Sequence, residues 1–221
     1  MLAVLYDIHG NLPALEAVLA DVERAGATRY LLGGDYGTPS PWPLETLERL
    51  KALPNATWIR GNGEHWLREP PDHPEVREAY DRFEGQVPDE VVEWLFGLPE
   101  QAELDGNLYV HGSPLSDVAS FAPEPQEDDE RLLAGVRDRT IVFGHSHQQF
   151  RRAGPNGTTL VNPGSVGMPL DGDVRAAWAT WDGEFEFRRT DYDREPAAAA
   201  YRAMGGDFGD FAARRIEKGS D

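Results

Sequence analysis

The chain has 221 residues, with 39 Asp and Glu against 21 Lys and Arg, giving a formal charge of −18. A field of that sign repels nucleic-acid backbones and anionic membranes, so neither broad DNA or RNA binding nor membrane association is expected. The absence of cysteine rules out a disulfide framework, a thiolate nucleophile and any Cys-based zinc or iron–sulfur site. No run approaches the roughly 18 apolar residues of a membrane helix. The opening Met1-Leu2-Ala3-Val4-Leu5-Tyr6-Asp7 has no basic region before a hydrophobic one, so a cytoplasmic location is expected.

The N-terminal third alternates apolar runs with helical patterns, the signature of strands joined by crossover helices and of a largely parallel sheet. Leu2 to Tyr6 reads as a first strand. Pro13, tolerated in a first helical turn, then precedes Leu15, Val18, Leu19 and Val22 at helical spacing, and Gly26 stops the run. Arg29 to Leu32 reads as a second strand, Trp42 to Leu53 as a helix and Ala56 to Arg60 as a third strand. Residues 66–97 are polar and helical, an excursion placed to shade a site. Three hairpins follow: Gln101 to Asp105 with Asn107 to His111, Gln148 to Ala153 with Thr158 to Asn162, and Arg175 to Trp181 with Glu184 to Asp191. A helix near Asp128 to Val136 and a helical tail over about 195–217 complete a single expected domain of residues 1–221.

Asp7-Ile8-His9-Gly10-Asn11 follows directly on the first strand. Residues i and i+2 of an extended chain point the same way, so Asp7 and His9 are placed to grip one metal. Gly34-Asp35 closes the second strand and Gly61-Asn62 the third, at the edge where open α/β sheets carry their sites. His111-Gly112 ends a later strand. Gly144-His145-Ser146-His147 follows Ile141-Val142-Phe143 and offers a second i, i+2 pair. Singly, each is ordinary turn chemistry. Together they draw His9, His111, His145 and His147 to strand ends and leave His65 beside the Asn62 turn, with His73 alone in a plain polar loop.

The order Asp7-x-His9, Gly34-Asp35, Gly61-Asn62, His111-Gly112, Gly144-His145-x-His147 and Asn162-Pro163-Gly164-Ser165 resembles the calcineurin-like metallophosphoesterase superfamily. The likeness spans about residues 1–190 and is greatest to the small bacterial phosphodiesterase branch. It implies an α/β four-layer sandwich, two packed mixed β-sheets flanked by helices. It also implies two divalent metal ions: one among Asp7, His9, Asp35 and His147, the other among Asp35, Asn62, His111 and His145, with Asp35 shared. Carboxylate, carboxamide and imidazole donors suit Mn foremost, with Fe, Zn, Ni or Co as alternatives. The implied reaction is hydrolysis of a small phosphoester, a diester in preference, by a hydroxide between the metals. Two divalent ions outweigh Asp7, Asp35 and that hydroxide, so the pocket turns positive within an acidic protein. The turn at Asn162 to Ser165 is read simply as shaping the floor of the site.

Catalytic roles are expected of His111, Asn62, Glu64 and His65. One position departs from the family pattern: after Gly-Asn, where phosphatases usually carry a His that protonates the leaving oxygen, this chain has Gly63. Glu64 matches the acidic residue that follows and is expected to orient a metal-ligand histidine. His65 is the candidate substitute acid. A phosphomonoesterase or protein phosphatase of the same fold, or a catalytically silent interaction scaffold, remains an alternative, and homo-oligomerisation is left open.

Overall fold

The computed structural model describes residues 1–220. Strand β1 (Leu2–Leu5) is buried along its whole length, and its period-2 alternation divides it between two cores. Ala3 and Leu5 face helices, while Leu2, Val4 and the following Tyr6 face a second sheet. Helix α1 (Leu12–Ala25) is capped by the Asn11 side chain, which accepts from the Ala14 amide at 3.2 Å, and it ends at Gly26 in the left-handed conformation. Next come β2 (Arg29–Leu32), α2 (Pro43–Lys51), β3 (Ala56–Trp58), α3 (Asn62–Trp66), α4 (Pro74–Arg82) and α5 (Asp89–Phe96). The second half comprises β4 (Gln101–Leu104), β5 (Asn107–Val110), α6 (Asp129–Leu132), β6 (Thr140–Val142), β7 (Gln149–Ala153), β8 (Thr159–Pro163), β9 (Ala176–Trp181) and β10 (Phe185–Thr190). Helices α7 (Arg194–Met204) and α8 (Gly206–Lys218) close the chain.

The strands form two mixed five-stranded sheets, ordered β10-β9-β1-β2-β3 and β4-β5-β6-β8-β7. In the first, β1, β2 and β3 run parallel, with Val4 opposite Leu31 and Leu31 opposite Thr57. In the second, β5, β6 and β8 run parallel between antiparallel edges. Leu2, Val4, Tyr6, Leu31, Tyr109, Val142 and Val161 fill the space between the sheets. Helix α1 covers the outer face of the first sheet, and Phe121, Leu132 and Leu133 cover that of the second.

The three hairpins form as expected. Other expectations need correction. The helix expected to reach Val136 stops at Leu132, because Ala134 and Gly135 have φ of 50° and 88° and turn the chain. The excursion at 66–97 begins earlier, with α3 at Asn62, and is cut into separate helices. The tail breaks into two at Gly205-Gly206, both at φ 73°, a conformation that glycine adopts without steric cost. Helices α7 and α8 then pack on each other through Ala197, Tyr201, Ala212 and Ile216. Among the described residues no helix is long and apolar enough to cross a membrane.

Candidate metal centre

Parallel strands of both sheets end at one edge. There β1 delivers Asp7 and His9, β2 delivers Asp35, β3 delivers Asn62, β5 delivers His111, and β6 delivers His145 and His147. The extended i, i+2 argument does not describe how they get there. Asp7, His9, Asp35, His145 and His147 all have φ between 49° and 63°, so the chain turns sharply at each. Left-handed backbone at a non-glycine residue is uncommon and costs energy, and persists where the surroundings fix it. Here they do: the His9 amide donates to the Asp35 carbonyl at 2.8 Å, the Gly10 amide to the Tyr36 carbonyl at 2.8 Å, and the Gly144 amide to the His111 carbonyl at 2.8 Å.

Two clusters result. In the first, His147 Nε2 lies 3.5 Å and His9 Nε2 4.0 Å from Asp7 Oδ1, and the two Nε2 atoms face each other at 3.0 Å. In the second, Asn62 Oδ1 lies 3.0 Å from His111 Nε2 and 2.8 Å from His145 Nδ1. Asp35 spans both, with Oδ2 3.8 Å from His9 Nε2 and Oδ1 3.5 Å from His111 Nε2. Asp7, His9 and His147, and likewise Asp7, Asp35 and His111, have ligand atoms close enough together to share a cation. Asp7 Oδ1 is the telling atom, being buried without a hydrogen-bond partner, while Oδ2 accepts from the His145 amide at 3.0 Å. A buried carboxylate oxygen left bare is costly, and a divalent cation among these donors satisfies it.

Backbone carbonyls aim two of the rings. His111 Nδ1 donates to Gly33 at 2.9 Å and His147 Nδ1 to Met168 at 2.7 Å, which turns each Nε2 into the site. Burial, reinforced by neighbouring imidazoles, pushes His9 and His145 down to about 4, leaving both neutral near pH 7. Burial also disfavours a cationic His111, but Asp35 and Asp7 outweigh it and hold that ring at about 10. For Asp7 and Asp35 burial works upward, yet His147 and His111 overcome it and both carboxyls lie below their ordinary range.

Glu64 does not orient a histidine. Its buried carboxylate accepts from the Asp35 and Gly61 amides at 2.8 and 2.9 Å through Oε2, and from the Tyr36 amide at 2.8 Å through Oε1. It thereby fixes the backbone that carries Asp35. Burial first, and then the Asp35 charge, push its pKa up to about 7 despite those three donors. Gly63 sits inside α3, and its need for glycine is one of space. The Gly63 amide donates to Asp35 Oδ1 at 2.7 Å, and a Cβ there would lie 2.9 Å from that oxygen. His65 turns to a neighbouring cleft of about 250 Å³, with Nδ1 2.7 Å from Asp117. His73 stays exposed, preceding α4.

The Asn162 to Ser165 turn does more than shape the floor. Asn162 Nδ2 donates to the Gly144 carbonyl and to Ser146 Oγ, both at 3.0 Å, and Ser165 Oγ donates to the Asp7 carbonyl at 2.7 Å. One turn thus braces both the histidine loop and the Asp7 turn. A cavity of about 510 Å³ opens above His9, Asp35, Asn62 and Gly63, and its far walls come from α4 and α8. Helix α4, part of the excursion expected to shade a site, lines this cavity, whereas sequence patterning gave no sign that the tail would reach it. Tyr80 Oη donates to the Gly63 carbonyl at 3.3 Å, tying α4 down over the site.

Two mixed sheets with carboxylate, carboxamide and imidazole donors converging at one edge define a metal-dependent hydrolase of the metallophosphoesterase type. Residues 1–183 match the calcineurin-like phosphoesterase superfamily domain, and the chain belongs to that superfamily. The matched segment ends before α7 and α8. An uncharacterised protein of Methanocaldococcus jannaschii is 26% identical over 229 residues, covering 89% of this chain and 90% of that one. Among solved structures, a metallophosphoesterase from Sphaerobacter thermophilus superposes with a TM-score of 0.82 at 25% identity, covering 99% of each chain. A hypothetical protein of Pyrococcus horikoshii OT3 shares the fold with a TM-score of 0.84 at 21% identity, over 100% of both.

Proposed function

We propose that this phosphoesterase is a dinuclear, Mn-dependent phosphodiesterase acting on small substrates in the cytoplasm. The observation that carries the dinuclear reading is the division of the Asp35 carboxylate, with one oxygen toward His9 and the other toward His111. Asp7 Oδ1 lies 3.5 Å from His147 Nε2 and 3.8 Å from His111 Nε2, so a bridge through that single oxygen is the competing arrangement. Asp7, His9, Asp35 and His147 would hold one ion, and Asp35, Asn62, His111 and His145 the other. When bound, two divalent ions supply Lewis acidity at phosphorus, acidify an attacking water and offset the charge of the departing oxygen.

The chain's own groups do the rest. Gly33 and Met168 carbonyls hold the Nδ1 protons of His111 and His147, so each ring turns Nε2 into the site, where His111 must give up a proton before it binds an ion. Glu64 and the Gly63 amide hold the Asp35 carboxylate in its dividing position. Half-buried, neutral His9 and His145 cost no proton when they bind an ion. No side chain projects from Gly63 to protonate the leaving oxygen, which favours substrates whose leaving groups are stable anions.

Rates on bis-p-nitrophenyl phosphate and p-nitrophenyl phosphate with Mn²⁺ test the reading. A higher kcat/KM on the diester supports it. A preference for the monoester moves the protein to the phosphomonoesterases, and no turnover of either favours the silent scaffold.

A further inference from the structure

The same cavity carries positive charge that the metal ligands do not explain. Across from His9, Asp35 and Asn62 it is walled by Arg82 on α4 and by Arg214 and Arg215 on α8. Many arginines of this acidic chain are engaged by carboxylates, as Arg49 is by Glu16 at 2.8 Å and Arg152 by Asp129 at 2.8 Å. Arg82 and Arg214 make no such ion pair with a described residue. Glu78 and Asp207 share the wall, and neither forms an ion pair with Arg82 or Arg214. Arg82 is also placed by the fold: a Cβ on Gly206 would collide with its Nη1, so the guanidinium rests against the joint between α7 and α8.

Between the arginines the wall is aromatic, with Trp66, Phe208 and Phe211 facing the space. Arg215 covers one face of Phe211 at 3.9 Å, while Trp66 meets Tyr80 edge-on with centroids 6.0 Å apart. A volume of about 510 Å³ far exceeds one phosphate and falls within the roughly 300–1,000 Å³ of pockets that enclose organic ligands. Guanidinium groups suit phosphate through paired hydrogen bonds, and aromatic walls suit a planar ring.

We infer that Arg82 and Arg214 form a subsite for a second phosphate, and that the substrate is a nucleotide bearing a phosphate besides the one attacked. This rests on the phosphoesterase reading for the attacked phosphate, which belongs at the metal ligands on the cavity floor. The tail is then part of the substrate site, with α8 supplying the wall opposite the chemistry.

Calorimetric affinities of the Mn²⁺-loaded protein for AMP, α,β-methylene-ADP and adenosine 3′,5′-bisphosphate test the inference. At least one bisphosphate is expected to bind about tenfold or more tightly than AMP, each charge-assisted phosphate contact being worth about a factor of ten. An advantage for the methylene analogue places the second phosphate in a chain, and an advantage for the 3′,5′-bisphosphate places it on the sugar. Arg82→Ala with Arg214→Ala should erase that advantage. Arg82→Gln with Arg214→Gln, which keeps the packing on Gly206, should do the same with an unchanged melting temperature. No advantage in the starting protein, or an advantage that survives both double variants, overturns the inference. Aryl-ester turnover of the starting protein, measured on the same preparation, separately decides the phosphoesterase reading without entering the binding ratios.

Discussion

Glu64→Gln is a near-isosteric change whose effect can be worked from the hydrogen bonds. The carboxylate takes three buried amides, two on Oε2 and one on Oε1. A carboxamide has one acceptor oxygen. The better orientation puts that oxygen toward Asp35 and Gly61 and sets an NH₂ group against the Tyr36 amide. One bond is lost and a buried donor stays unpaired, at a cost of about 2 kcal/mol. For a chain of this size that is a fall in melting temperature of about 4–8 °C. Because Glu64 anchors the backbone of the dividing carboxylate, metal content should fall with it. Thermal melts in chelator, with metal analysis after reconstitution, read the two effects separately. A variant that melts within 1 °C of the starting protein and holds its metals equally well refutes the anchoring role.

Asp35→Asn should reduce bound metal and lower kcat by about three orders of magnitude or more, because it weakens the carboxylate proposed to bridge the two ions; elemental analysis with steady-state kinetics checks this. His145→Ala should lose comparable activity and keep its melting temperature, whereas His147→Ala should also lose about 1–3 kcal/mol of stability by stranding the buried Met168 carbonyl. With no acid at Gly63, rates should depend steeply on leaving-group pKa, and Gly63→Ala should lower metal affinity by crowding Asp35 Oδ1; a shallow dependence would mean that another acid is in place. In protein stripped of metal His111 is held at about 10 and carries a proton at pH 7, so metal uptake must release it. Calorimetry in buffers of different ionisation enthalpy should show release of about one proton at pH 7, and affinity should rise from pH 6 to 9.

The candidate ligands could be picked out because each follows a strand and stands near a glycine or another candidate, a pattern that survives ignorance of the exact backbone. Parallel β1, β2 and β3 were legible for the same reason, their apolar runs being short and cleanly bounded. The geometry behind the ligands was not. Asp7-x-His9 and His145-x-His147 look like extended pairs, yet tertiary hydrogen bonds hold all four residues left-handed. Glu64 shows the same limit, since its spacing signals a partner and only the fold reveals that the partner is the Asp35 backbone. Arg82 and Arg214 lie in polar helices whose periodicity says nothing of direction. They line one cavity because α8 folds back over the site after the Gly205-Gly206 break.

Anomalous diffraction from Mn²⁺-soaked crystals tests the central claim most directly. The account predicts two peaks about 3.5–4 Å apart, with the Asp35 carboxylate touching both, Asn62 and His145 on one, and His9 and His147 on the other. A single peak, or a pair joined by Asp7 with Asp35 on one ion only, would contradict it.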